Sequence, residues 1–85
     1  MSIFKEIFEE IKKIFIESIP ELENIAEEMV EEFLLWLKNK FFPDSSIEDM
    51  PKKFQDMENK EAVKEAFYNE YLTQEYKEPD GGRKS

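Results

Sequence analysis

EEFLLWLKNKFFPD, residues 31–44, concentrates large apolar residues in a chain that elsewhere alternates apolar and charged positions. A chain of 85 residues buries only about 60–65% of its unfolded surface, so part of this stretch must form the core of a small helical domain. On a helix, Leu34 falls at the margin of the apolar face, and Leu35 projects from the opposite side. The stretch therefore predicts more apolar surface than one small core covers, and the excess indicates a binding partner.

The composition excludes several classes of function. The chain has no cysteine, which removes disulfides, thiolate metal sites and cysteine nucleophiles, and fits the cytoplasmic location that we expect. The net charge of −9 argues against direct binding of nucleic acid, because contact with phosphates requires lysine and arginine. We therefore expect a protein partner with a basic surface.

Membrane insertion and secretion are not predicted. Residues 1–13, MSIFKEIFEEIKK, lack a basic leader and carry charges inside what would be the apolar part of a signal peptide. The uncharged run around Trp36, residues 33–37, is far shorter than the ~20 residues of a membrane span. The predicted helices carry mostly glutamate where membrane-surface helices carry lysine and arginine, so we expect no membrane binding.

The first helix is predicted from apolar residues that recur every three or four positions over residues 3–19. Ser2 precedes this stripe and can cap the helix, since a serine oxygen accepts from the free N–H groups of the first turn. A residue before proline is disfavoured in helical geometry, so Ile19-Pro20 predicts a bend.

The second and longest helix is predicted over residues 20–42, about 34 Å at 1.5 Å per residue. Ser18 and Glu21 match a capping box at its start, and Phe42-Pro43 ends it. Its predicted core face has eight residues: Leu22, Ile25, Ala26, Met29, Val30, Phe33, Trp36 and Leu37.

Two further helical segments complete the predicted fold. The third follows a capping box of Ser45 and Glu48 and holds Pro51 in its first turn or at a kink. The fourth covers about residues 60–76, with Asn59 as its N-cap. The core positions of these segments are Ile47, Met50, Phe54, Met57, Val63, Ala66, Phe67 and Tyr71.

The fold class predicted is all-α, because no stretch alternates with a period of two. Three main helices and a short fourth helical segment, joined by short connections, form a small bundle. Residues 1–78 are predicted as a single helical domain. Residues 79–85 hold both glycines and no large apolar residue, which predicts a mobile C-terminal tail.

Enzymatic and metal-binding chemistry lacks its usual residues. The chain has no histidine, and its serines other than the C-terminal one stand at predicted helix starts, where capping explains them. The glutamates of residues 27–32 lie on a polar face, and carboxylate-bridged di-iron sites also require histidines. We therefore predict a non-enzymatic protein with no metal and no cofactor.

Residues 17–37 contain seven glutamates and no lysine or arginine, and we call them the acidic strip. The negative field of such a strip steers association with a basic surface, although net charge also serves solubility alone. An accessory subunit would lie against the basic flank of a nucleic-acid enzyme. A DNA mimic would instead occupy a nucleic-acid groove.

Apolar residues outside the core faces are the predicted partner-binding residues: Leu35, Phe42, Tyr68, Leu72 and Tyr76. Truncating a good interface anchor costs about 2 kcal/mol, whereas association must overcome ~4–15 kcal/mol of lost freedom. A stable complex therefore needs these residues together with the acidic strip. A homodimer could also bury them.

Charged residues make up 39% of the chain, mostly glutamate and lysine with a single arginine, which is typical of hyperthermophiles. In size, acidity, Ile/Phe/Glu/Lys content and helical layout, residues 1–78 resemble the small helical accessory subunit of the crenarchaeal family-B replicative DNA polymerase. The resemblance implies a non-catalytic protein that binds the polymerase catalytic subunit and supports DNA synthesis or holoenzyme stability. The alternatives are an acidic DNA-mimic inhibitor and a homo-oligomeric structural protein of an archaeal virus or plasmid.

Overall fold

The computed structural model describes residues 2–74. Within this range the chain is helical and contains no strand, so the predicted all-α bundle is confirmed. None of its helices is long and apolar enough to cross a bilayer. The α-helices are α1 (Ile3–Phe15), α2 (Val30–Phe41), α3 (Met50–Asp56) and α4 (Glu61–Ala66). The other helical elements are two 3-10 turns, Pro20–Asn24 and Glu27–Met29, and a π-helical turn, Phe67–Tyr71, that continues α4.

Helix α1 begins at the predicted cap but ends before the predicted bend. The Ser2 hydroxyl accepts a hydrogen bond from the Lys5 N–H at 3.3 Å, which caps the first turn. The helix ends at Phe15, and Ile19 has a non-helical backbone, φ −131° and ψ 71°, at the predicted bend before Pro20. The apolar face that α1 buries consists of Ile7, Phe8, Ile11 and Phe15.

The prediction of one long helix over residues 20–42 is wrong. Ile25 and Ala26 have extended backbones, with ψ angles of 120° and 149°, so α2 begins only at Val30. The chain instead makes short 3-10 turns, which suit connections. The predicted C-terminal end of this second helix is confirmed, since the last residue of α2 immediately precedes the Phe42-Pro43 pair.

The two capping boxes predicted for the second and third helices are also wrong. The Ser18 hydroxyl donates a hydrogen bond to the Phe15 carbonyl at 3.4 Å, so it closes the end of α1 and caps no later element. Ser46, not Ser45, accepts the Asp49 N–H at 3.3 Å. The N-cap positions of the elements that follow are instead Ile19 and Asp49, and neither makes a side-chain capping bond.

The last helix begins close to its predicted start but with a different cap. Lys60 occupies the N-cap position of α4, and Asn59 contributes its backbone carbonyl, which accepts the Ala62 N–H at 3.2 Å. The predicted core face of this helix is confirmed, because its four members are buried: Val63, Ala66, Phe67 and Tyr71. The predicted helix end near residue 76, the domain end at residue 78 and the tail, residues 79–85, lie outside the described residues.

A single cluster of buried side chains lies between α1, α2, α3 and the C-terminal π-turn. The Phe33 ring of α2 contacts Phe8 of α1 and both Phe67 and Tyr71 of the π-turn, at centroid distances of 5.8, 6.1 and 5.1 Å. Because these elements lie on different sides of α2, they bury a wider arc of its surface than a single apolar stripe. Leu34 is 0% exposed, so its predicted contribution to the surface excess is wrong.

Candidate functional site: an apolar groove beside the acidic strip

Leu35 and Phe42, two of the predicted partner-binding residues, lie in different surroundings. Leu35 is 40% exposed on α2, although the preceding Leu34 is fully buried. The Phe42 ring packs edge-to-face on Phe54 at 4.8 Å, and the Lys53 ammonium lies 5.9 Å from the Phe42 centroid. Phe42 is therefore half-buried against the core, which leaves less exposed apolar surface than the sequence predicted.

Tyr68 and Leu72 lie beside the acidic strip. The Tyr68 hydroxyl donates a hydrogen bond to the carboxylate of Glu21, which belongs to the strip. Leu72 is half-buried and lines a groove that Glu21 also lines. Tyr76, the fifth predicted residue, lies outside the described residues. Among residues 2–74, the structure thus brings Tyr68 and Leu72 of the predicted set to the acidic strip.

An open groove of about 400 Å³ separates the two 3-10 turns from the C-terminal helical segment. Its volume is near the lower end of the roughly 300–1,000 Å³ found for pockets that bind drug-sized ligands. We call it the Leu72 groove. It is lined by Glu21, Asn24, Ile25, Ala26, Met29, Phe67, Tyr71 and Leu72.

The base of the Leu72 groove is part of the core. Phe67 and Tyr71 are 1% and 7% exposed, and their rings stack at 5.6 Å with an interplanar angle of 20°. Phe33 meets both rings edge-on, and Trp36 lies 5.2 Å from Tyr71. Aromatic packing of this kind fixes ring positions, so the base of the groove is rigid.

The groove is negatively charged at its edge. Glu21 is the charged residue in its lining, which contains no lysine or arginine. Two neighbouring carboxylates are partly neutralised, since Glu23 lies 3.9 Å from the Lys12 ammonium and Glu27 lies 3.1 Å from that of Lys5. The other glutamates of the strip make no ion pair within residues 2–74: Glu17, Glu28, Glu31 and Glu32.

The Tyr68–Glu21 hydrogen bond ties the C-terminal segment to the first 3-10 turn. The Glu21 carboxylate accepts the phenolic proton, and this bond, with burial and the negative charge of Glu21, raises the pKa of Tyr68 to about 12. Tyr68 is therefore neutral at pH 7 and remains a donor. The bond holds Glu21 at the edge of the groove.

The walls of the Leu72 groove were not predicted from the sequence. The prediction placed Ile25, Ala26 and Met29 on the core face of a long helix, whereas these residues line the groove because the backbone is extended at residues 25 and 26. Like-charge spacing in this segment gave no signal of the interruption, because glutamates four positions apart also occur within the regular helix α1, at Glu6 and Glu10.

The groove suits binding through apolar contact and charge. Among residues 2–74, no three acidic side chains are grouped as a metal site would require. Comparisons of this chain with protein-family models, with curated proteins and with solved structures each found no match. The function is therefore inferred from the groove, the charge distribution and the resemblance described above.

Proposed function

We propose that this protein is a non-catalytic accessory subunit that binds a protein partner with a basic surface. The observation that carries the proposal is the Leu72 groove, which residues of the acidic strip line on one side and which has no cation in its lining. Apolar anchors in well-packed pockets provide most of the binding energy at interfaces. Complementary charges provide orientation and a fast association rate.

The charge distribution supports a basic partner. The chain carries a net charge of −9, and four glutamates of the strip make no ion pair within residues 2–74. A surface of this kind attracts lysine and arginine on another protein and repels other acidic chains. Because exposed charges are screened beyond about 10 Å at 0.1 M salt, the association rate falls as salt is added.

We propose the catalytic subunit of a family-B replicative DNA polymerase as that partner, with support of DNA synthesis or holoenzyme stability as the role. Two observations support it: the whole-chain resemblance given above and the acidity of the strip. An enzyme that holds DNA presents lysine and arginine along the path of the phosphates. A basic surface that flanks that path is complementary in charge to the acidic strip.

Calorimetric titration of the purified protein into the recombinant polymerase catalytic subunit from the same organism tests the proposal. We expect saturable binding that weakens as salt is raised. Leu72→Asp and Leu35→Asp should each weaken it, whereas Ile3→Asp, which adds the same charge at a residue 48% exposed on α1, should not. No binding at low salt would overturn the polymerase assignment.

A matched set of charge variants tests the role of the strip. The triple change of Glu28, Glu31 and Glu32 to glutamine should reduce the association rate and its salt dependence. The control triple replaces three exposed glutamates outside the strip: Glu10, Glu58 and Glu65. Both triples remove the same net charge, so equal effects would show that only total charge matters.

The two alternatives make different predictions. A DNA mimic competes with DNA for one basic groove, so duplex DNA added to the complex would displace it, whereas an accessory subunit stays bound. A homo-oligomeric structural protein would elute as an oligomer, and light scattering after gel filtration measures this directly. Displacement by DNA, or an oligomer that does not dissociate on dilution, would contradict the accessory role.

A further inference from the structure

We propose that the Leu72 groove receives one leucine-sized apolar side chain from a basic helical segment, and that Glu21 binds a lysine or arginine beside that anchor. This inference rests on the proposed function, because it names the kind of partner segment that the acidic strip attracts. It also assigns Ile25, Ala26 and Met29 to binding, a role that the sequence did not indicate.

The shape of the groove favours a single anchor. The half-buried side chains of Ile25, Met29 and Leu72 face an open space above the buried rings of Phe67 and Tyr71. A rigid aromatic base gives a leucine or isoleucine side chain a large area of contact. The unbranched Met29 side chain adapts to the shape of the guest, as methionine does at binding surfaces.

The charge at the edge favours a basic flank. One Glu21 oxygen accepts the Tyr68 hydroxyl, and a carboxylate has about four acceptor positions in all, so acceptor capacity is left for an incoming cation. No lysine or arginine among the groove-lining residues competes for it. Glu28 on the second 3-10 turn is exposed and makes no ion pair within residues 2–74.

The same charges disfavour a second copy of this chain as the occupant. A dimer formed through the groove would bring another chain of net charge −9 toward the acidic strip. Like charges placed together across an interface oppose association. A helical segment with lysine or arginine on both sides of its anchor instead reduces the repulsion among the glutamates.

Synthetic peptides provide the probes for a direct test on the full chain. The first is a fluorescein-labelled helical peptide with leucine on one face and lysine on the other. The second replaces each leucine by alanine, and the third replaces each lysine by glutamate. We expect the leucine–lysine peptide to bind best, the alanine peptide at least about tenfold more weakly, and the glutamate peptide not to bind.

Amide chemical shifts of the labelled protein locate the bound peptide. The leucine–lysine peptide should shift the signals of Ile25, Met29 and Leu72 more than those of residues on the α1–α3 side. Shifts centred elsewhere, or equal binding of the leucine and alanine peptides, would overturn the inference. Concentration-dependent shifts of the groove without peptide would show that a second copy occupies it, which also overturns the inference.

Variants of the groove residues provide a second test of where the peptide binds. Ala26→Arg places a cation at an exposed position of the lining and should weaken the leucine–lysine peptide about tenfold or more without disturbing the core. Leu72→Asp should have a similar effect, and Ile3→Asp should have none. Glu21→Gln should weaken binding and reduce its salt dependence while the preference for leucine over alanine remains.

The two proposals fail in different ways. If the groove selects the leucine–lysine peptide but the polymerase catalytic subunit does not bind, only the polymerase assignment is wrong. If the catalytic subunit binds equally to the wild type and to Ala26→Arg, the groove inference is wrong and the accessory role stands.

Discussion

The core around Phe54 and the Leu72 groove contain similar apolar residues, but they are covered differently. Phe54 is 0% exposed, and three rings meet it edge-on, those of Phe15, Phe41 and Phe42 at 5.8, 6.0 and 4.8 Å. Leu72 is only half-buried, because short 3-10 turns stand beside it where a regular helix would cover more surface. Regular helices close one side of this bundle, and the interrupted segment leaves the other side open.

The largest effect is expected at the closed side. Phe54→Ala removes a buried ring together with its contacts to three neighbouring rings. The variant should therefore have a free energy of unfolding lower by about 3–5 kcal/mol. Urea denaturation followed by circular dichroism measures this loss. A loss below about 1 kcal/mol would show that the core around Phe54 repacks and is not the closed side of the comparison.

Leu34 and Leu35 allow the comparison to be made within one helix. Leu34→Ala should cost about 2–5 kcal/mol, because Leu34 is fully buried and its loss leaves a cavity. Leu35→Ala should change stability by no more than about 0.5 kcal/mol, since Leu35 is 40% exposed. Thermal unfolding of the two variants in parallel measures the difference, and equal effects would contradict the placement of these two residues.

On the groove side, the Tyr68–Glu21 hydrogen bond joins distant parts of the chain. Tyr68→Phe removes this hydrogen bond and should cost about 1 kcal/mol. Glu21→Gln keeps a carbonyl acceptor for the Tyr68 hydroxyl, so it should cost less than Tyr68→Phe. A loss as large as that of Phe54→Ala would show that the groove side is as tightly held as the core.

The same link predicts a dependence on alkaline pH. The folded-state pKa of Tyr68, about 12, is above the ordinary value of 10.0, so the neutral phenol stabilises the folded state. This contribution is fully present below pH 10 and is lost as the pH rises through about 12. Ultraviolet absorbance titration of the wild type minus Tyr68→Phe isolates this tyrosine, and a difference curve centred near pH 10 would contradict the hydrogen bond.

The smallest effect is expected for the exposed ion pair Lys40–Glu70, 2.8 Å long, which joins α2 to the C-terminal segment. Both side chains are more than a third exposed, so Lys40→Ala should cost about 0.5 kcal/mol or less. Raising the salt concentration should reduce even this difference. Chemical denaturation at low and high salt checks both statements.

Local patterns predicted local structure well. The apolar stripe of α1, its Ser2 cap and the bend before Pro20 depend on residues within one turn of each other, and all three are confirmed. Pro51 lies in the first turn of α3, one of the two placements predicted for it. The all-α class follows from periodicity alone.

The groove could be predicted only in part. Tyr68 and Leu72 are identifiable as apolar residues outside the core face, but the hydrogen bond between Tyr68 and Glu21 joins residues 47 positions apart. The burial of Leu34 and the half-burial of Phe42 depend on neighbours supplied by other elements, which a helical projection of one segment does not contain. For this reason the sequence overestimated the exposed apolar surface.

By itself, the amino-acid sequence determined that this chain is helical and strongly acidic, because periodicity and charge are properties of neighbouring residues. It also determined which face of α1 and of the C-terminal helix is apolar. Only the tertiary structure decided that residues 20–24 and 27–29 form 3-10 turns, that Leu34 is covered while Leu35 is not, and that a groove opens beside Glu21. These outcomes depend on how distant elements pack together, and the spacing of apolar residues within one element does not determine that packing.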